Sequence, residues 1–109
     1  MAYDEGLATR VRELVGDLPG MVEKKMFGGL AFLFQGNMSV GVHGDELIVR
    51  LDPEGIAAAV GEAGVRPFEV GGRSMKGWIL VDPEVHAEDD DLRRWVDLGV
   101  EHAGSLPPK

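Results

Sequence analysis

Between Met38 and His43 the chain alternates apolar with polar residues, and after a turn signal at Gly44-Asp45 a second apolar segment follows to Leu51. Met38, Val40 and Val42 stand against Ser39, Gly41 and His43. Leu47, Val49 and Leu51 then resume the same period of two. That period puts one set of side chains on one face of a strand. Two consecutive strands with a turn signal between them predict an antiparallel pair with one buried face.

The flanking segments extend the pair into a meander. Glu23–Gln35 reads as one long strand, bent or bulged at Gly28-Gly29. Glycine weakens a strand unless the backbone must bend or another chain must pass close. Gly36-Asn37 is a tight-turn signal, since both residues tolerate positive φ. Later, Pro67–Val70 reads as a short strand, Gly71-Gly72 as a turn and Met75–Val81 as a strand. That last strand carries Trp78 and Leu80 on one face and Ile79 and Val81 on the other, as a covered strand does.

Three helices punctuate these strands. Leu7, Val11, Leu14 and Val15 form one stripe over Asp4 to Gly16, with Asp4 as cap and Gly16, then Pro19-Gly20, as the stop. Asp52-Pro53-Glu54 opens a second helix, with Asp52 as cap and Pro53 at the first helical position; Gly64 closes it. The third starts near Asp89. There Asp89-Asp90-Asp91 reads as a cap and first-turn cluster facing the helix dipole, and Leu92, Trp95, Val96, Gly99, Val100 and Ala103 as its buried stripe. Leu106-Pro107-Pro108-Lys109 is an extended tail. The order α-β-β-β-α-β-β-α predicts a two-layer α+β domain, with a five-stranded antiparallel sheet covered on one face by helices.

Bulk properties narrow the function classes. The chain has 109 residues, 44% of them apolar, and reads as one domain. It contains no Cys, which excludes disulfides and thiolate metal sites. The N-terminus lacks the basic and apolar regions of a signal peptide, and no run reaches the roughly 18 apolar residues of a membrane span. A cytoplasmic protein is therefore expected, with no membrane association. The net charge of −8 opposes nucleic-acid binding by the whole surface. The charge is uneven, however. From Lys24 to Lys76 there are six basic and six acidic side chains, whereas 82–91 is strongly acidic.

No catalytic pattern stands out. Ser74 lies outside a G-x-S-x-G elbow, and Lys76 is one residue short of S-x-x-K spacing. His43, His86 and His102 are scattered, and Glu84, His86 and Glu88 read as a solvated acidic loop rather than a metal site. Gly28-Gly29 and Gly71-Gly72 do not form a phosphate loop. No catalytic residue, metal or cofactor is assigned. What remains is a basic and aromatic constellation: Lys24, Lys25, Phe27, Arg50, Arg73, Lys76 and Trp78. Lys25 and Phe27 share one strand face, with Lys24 and Met26 on the other; Lys76 and Trp78 share a face opposite Met75. On a structural reading, Met and aromatic side chains pack under helices while Lys and Arg stems cover sheet surface. On a functional reading, the constellation is a patch for an anionic or protein partner.

The blocks Lys24-Lys25-Met26-Phe27-Gly28-Gly29, Gly36-Asn37-Met38, Leu47 to Arg50, Gly72-Arg73-Ser74-Met75-Lys76-Gly77-Trp78 and the Leu-Pro-Pro-Lys tail resemble the N-terminal domain of the TfoX/Sxy competence regulators. The resemblance spans nearly the whole chain. It implies a two-layer α+β fold with a five-stranded antiparallel sheet, and a role in transcriptional or competence regulation. Full-length members add a C-terminal domain, so the resemblance implies a stand-alone N-terminal module. No catalytic residues come with it. The positions it marks are Lys25, Phe27, Gly28, Gly29, Arg50, Arg73, Met75, Lys76 and Trp78.

The leading expectation is thus a non-enzymatic regulatory or adaptor module binding another protein. Two alternatives stay open: nucleic-acid binding through a local basic and aromatic face, and a small-molecule site or enzyme with a pocket lined by Phe27, Met75 and Trp78. A homodimer formed by a sheet edge across a two-fold axis is also open.

Overall fold

The computed structural model describes residues 3–26, 29–70 and 73–108, with side chains for all of these except 26, 69, 70 and 73–76. Its elements run α1 (Glu5–Val15), β1 (Met21–Met26), β2 (Gly29–Phe34), β3 (Asn37–His43), β4 (Glu46–Arg50), α2 (Pro53–Ala59), β5 (Val65–Val70), β6 (Arg73–Val81) and α3 (Asp89–Ser105). The strands form one antiparallel sheet of six, in the order β1-β2-β3-β4-β6-β5.

The sixth strand corrects the expected five. Glu23–Gln35 is not one bent strand: β1 and β2 pair antiparallel from Met21↔Phe34 to Met26↔Gly29, so the chain reverses between them. Gly29 also has a packing role that a bend would not need. A Cβ there would stand 2.1 Å from the carbonyl oxygen of Val42, so β2 and β3 approach too closely for any side chain. The next turn is shifted by one residue from the expected Gly36-Asn37. Gln35 (φ 54°) and Gly36 (φ 86°) take the two positive-φ positions that a two-residue hairpin turn requires. Asn37 instead begins β3, where its buried amide donates to the Pro107 carbonyl at 3.0 Å and ties down the tail.

The helices begin where their caps dictate. The Asp4 carboxylate accepts from the amides of Gly6 (2.8 Å) and Leu7 (3.2 Å), and that of Asp52 accepts from Gly55 at 2.6 Å, with Pro53 following. In α3 the cap position falls to Glu88, which makes no side-chain cap bond, and Asp89, Asp90 and Asp91 fill the first turn. The second helix ends earlier than Gly64, at Ala59.

All three helices lie on one face. Leu7, Val11 and Val15 of α1, Ala59 of α2, and Leu92, Trp95 and Val96 of α3 enclose a core with Leu30, Phe32, Val40, Val42, Leu47, Val49, Ile79 and Val81. The strand residues in this core alternate with those on the far side, but Met38, expected on the face of Val40 and Val42, lies on the far side because a bulge intervenes. Helix α3 crosses β3 at a bulge, where Ser39 is the extra residue between Phe32↔Val40 and Leu33↔Met38. Its hydroxyl donates to the Phe32 carbonyl at 2.8 Å, which satisfies the buried group. A Cβ on Gly99 would stand 2.5 Å from the Ser39 oxygen, so only glycine lets the helix sit this close.

The helix-free face has a smaller core of its own. Ala31, Met38, Ile48, Phe68 and Leu80 are buried there, with Leu33 and Trp78 partly buried beside them. No helix contributes to this cluster.

Candidate interaction surface

The residues marked in the sequence fall at two separate places. Lys25 and Gly29 sit at the β1–β2 end of the sheet. Arg50 and Trp78 are directly paired across β4 and β6. Four strand steps separate β1 from β6, roughly 19 Å at about 4.8 Å per step. The two places also lie at opposite ends of the strands. Lys25 is in the cross-strand row of Leu30, Val42, Leu47 and Val81, whereas Trp78 lies three residues from Val81. Lys25 and Gly29 of the one block and Trp78 of the other thus mark diagonally opposed corners.

Faces divide them further. Lys24 pairs with Ala31 and so shares the helix-free face with Arg50 and Trp78; Lys25 pairs with Leu30 and points to the helix side. Trp78 therefore does not pack under helices, as the structural reading expected. It is half-buried on the opposite face, with the Arg50 guanidinium 5.5 Å from its ring centre. That spacing suits a cation–π contact. Arg73, Met75 and Lys76 lie on β6 beyond the end of β4, in the arm that β6 forms with β5; their side chains, and Phe27 and Gly28 entirely, lie outside the described residues.

The arm is set off by an irregularity. Pro67 pairs with Ile79 but Glu69 with Ser74, so residues 75–78 face only Phe68. Gly77, at φ 87°, supplies the turn of backbone this needs, and its carbonyl accepts from the Leu51 amide at 2.9 Å. Phe68 is thereby carried over the helix-free face, where it is 4% exposed.

The expected pocket near Phe27, Met75 and Trp78 rests on side chains that mostly lie outside the described residues. Clefts among the described residues lie elsewhere. One of about 270 Å³ lies between α1 and the start of α3, lined by Arg10, Glu13, Leu14, Asp89 and Arg93 among others. One of about 260 Å³ lies between α2 and the end of α3, against Leu51, Asp52, Leu98, Glu101 and His102. Among the described residues, no group of three or more His, Asp or Glu is placed to hold a metal ion.

His86 is the residue that sequence reasoning misplaced. It is not part of a solvated loop but 4% exposed. Its Nε2 lies 3.0 Å from the Asp45 carbonyl, and Arg10 donates at 3.0 Å to the carbonyls of both His86 and Ala87. The loop before α3 is thus clamped to the β3–β4 turn and to α1. The acidic residues around His86 hid this, because hydropathy alone assigns such a loop to solvent.

These features agree with one family. The model of the TfoX N-terminal domain matches residues 13–103, most of the chain. The chain belongs to the TfoX N-terminal domain family. No curated protein matches it, and no solved structure does. No helix among the described residues is long and apolar enough to cross a membrane.

Proposed function

We propose that the chain is a non-enzymatic regulatory or adaptor module that works by contact with another protein, in transcriptional or competence regulation. Membership of the TfoX N-terminal domain family carries this reading. The surface it uses is the corner where Arg50 lies over Trp78, together with Arg73, Met75 and Lys76 of the adjoining arm. An Arg beside a half-buried Trp is the kind of pair that dominates protein interfaces when it is covered. Lys25 and Gly29 at the opposed corner, with Phe27 and Gly28 of the same sequence block, form a second contact in the same reading.

Affinity purification from the native cell, with wild type beside Arg73→Ala/Lys76→Ala, tests the proposal. A specific protein partner lost from the variant supports it. If the variant retains every partner, the arm is the wrong surface. If neither form recovers a specific protein, the adaptor reading itself fails.

A further inference from the structure

We propose that the free edge of β1 is a docking site for an acidic, extended segment of a partner protein, which joins the sheet as an added strand. This rests on the adaptor reading but places a contact on a surface distinct from the Arg50–Trp78 corner.

The two edges of the sheet are built differently. The β5 edge contains Pro67, which has no N–H to offer a further strand. Its Arg66 is engaged by Glu46 and Asp82. The β1 edge contains no proline across Met21–Met26, and among the described residues it is paired only on its β2 side. The Met21 amide donates to the Leu18 carbonyl at 3.1 Å, and the outer backbone groups beyond it, at Glu23 and Lys25, are placed for strand addition.

Charge selects the occupant. Glu23 is the only acid on β1, and both of its carboxylate oxygens are taken by the Arg12 guanidinium of α1 behind it. That pairing also holds the Arg12 guanidinium above its ordinary pKa, chiefly through the hydrogen bond to Glu23. Lys24 and Lys25 are exposed, and neither has an ion-pair partner among the described residues. The edge is therefore positive on a chain of net charge −8. Because Lys24 and Lys25 point to opposite faces, a strand beside them meets a cation on each face. Acids on both faces of the incoming strand complement this.

Val22 adds an apolar foothold. It is 59% exposed and pairs with Leu33, which pads the helix-free cluster. A β-branched residue opposite Val22 extends that cluster outward. Two lysines on a strand edge are too few to neutralise a nucleic-acid backbone, which needs a cluster of cations. The competing role for Lys24 and Lys25 is to guard the edge against any pairing, and that role predicts no strand binding at all.

The test is fluorescence anisotropy with a labelled short peptide alternating valine and glutamate, compared with a lysine-for-glutamate peptide and one interrupted by a central proline. The acidic peptide binds. Lys24→Glu/Lys25→Glu weakens it by roughly tenfold or more, since like charges then oppose. The other two peptides do not bind, and amide exchange at residues 23 and 25, whose N–H groups face away from β2, slows with the acidic peptide. Both lysines are exposed, so the variant keeps its fold, checked by circular dichroism. Absence of binding, or binding indifferent to the proline or the charge reversal, overturns the proposal. So does a wild-type dimer that the variant loses, since the occupant is then a second copy. A protein partner that this variant retains and Arg73→Ala/Lys76→Ala loses defeats β1 docking while leaving the adaptor reading intact.

Discussion

The ring of Phe68 on β5 stands 5.9 Å from the ring of His43 on β3. Three strand steps separate those strands, roughly 14 Å on a flat sheet. The sheet therefore rolls over its helix-free face, and the roll closes a second core without a second layer of helices. This explains how Ala31 and Ile48 are 0% and 1% exposed on the face that no helix covers. The extra residues of β6 opposite Phe68, and the positive φ of Gly77, are the local cause.

Phe68→Ala removes the lid of that core. A buried Phe truncated to Ala costs about 3–5 kcal/mol. The expected result is a large loss of stability in urea, with increased binding of a hydrophobic dye as the helix-free face opens. A variant as stable as wild type would show that the roll does not depend on this ring.

Gly29→Ala tests whether the glycine in the Lys-Lys-Met-Phe-Gly-Gly block serves packing or binding. The new Cβ would meet the backbone oxygen of Val42 at 2.1 Å, and backbone cannot swing aside as a side chain can. Overpacking of this kind costs about 1–3 kcal/mol, and each kcal/mol lowers Tm by roughly 4–8 °C in a domain near this size. A melt shows the drop. An unchanged Tm with lost partner binding would instead assign Gly29 to the contact itself.

The elements legible in the sequence were those set by local chemistry. Asp4, and Asp52 with Pro53, announce their helices because an orphaned amide needs an acceptor and a first-turn position needs no N–H. The alternation of Val40 with Val42 and of Leu47 with Val49 announces β3 and β4 because those positions face the helices. It misplaces Met38, which the bulge at Ser39 turns to the helix-free cluster, and it hides that both faces of these strands are buried. The reversal between β1 and β2 was hidden. Glycine next to a strand signals a bend or a close approach equally well, and only the position of Val42 decides between them. The separation of the two basic blocks was hidden for a similar reason. Composition joined Lys25 to Trp78, but strand order is a long-range property, and it places β1 and β6 four steps apart. The burial of His86 depends on partners at Arg10 and Asp45, which are likewise distant in sequence.

Arg66→Ala tests how little a visible ion-pair network contributes. Arg66 joins Glu46 of β4 to Asp82 after β6, but its side chain is 49% exposed. Exposed pairs are worth about 0–1 kcal/mol, so denaturant midpoints are expected to shift only slightly. Burial lowers the Arg66 pKa, but hydrogen bonds and charge from Glu46 and Asp82 more than offset this and raise it above the ordinary value. A raised pKa stabilises the fold fully below the ordinary guanidinium range and is lost only above it. The difference between variant and wild type is therefore expected to stay flat with pH through the neutral range and to shrink with added salt. A loss of several kcal/mol would mean that Arg66 also holds the β5 edge by packing.

The two tryptophans provide a direct probe of the Arg50 corner. Trp95 is 1% exposed on the buried side of α3, whereas Trp78 is half-buried on the helix-free face. In Trp95→Phe the only indole left is Trp78. Its emission is expected to be quenched by acrylamide, and shielded when a partner covers the corner. Arg50→Ala in that background removes a cation 5.5 Å from the ring centre. The contact is worth about 0.5–1 kcal/mol at exposed sites, so stability falls little while the Trp78 emission shifts and partner shielding weakens. If a bound partner leaves Trp78 as open to acrylamide as before, the partner sits elsewhere, and the β1 edge becomes the surface to examine.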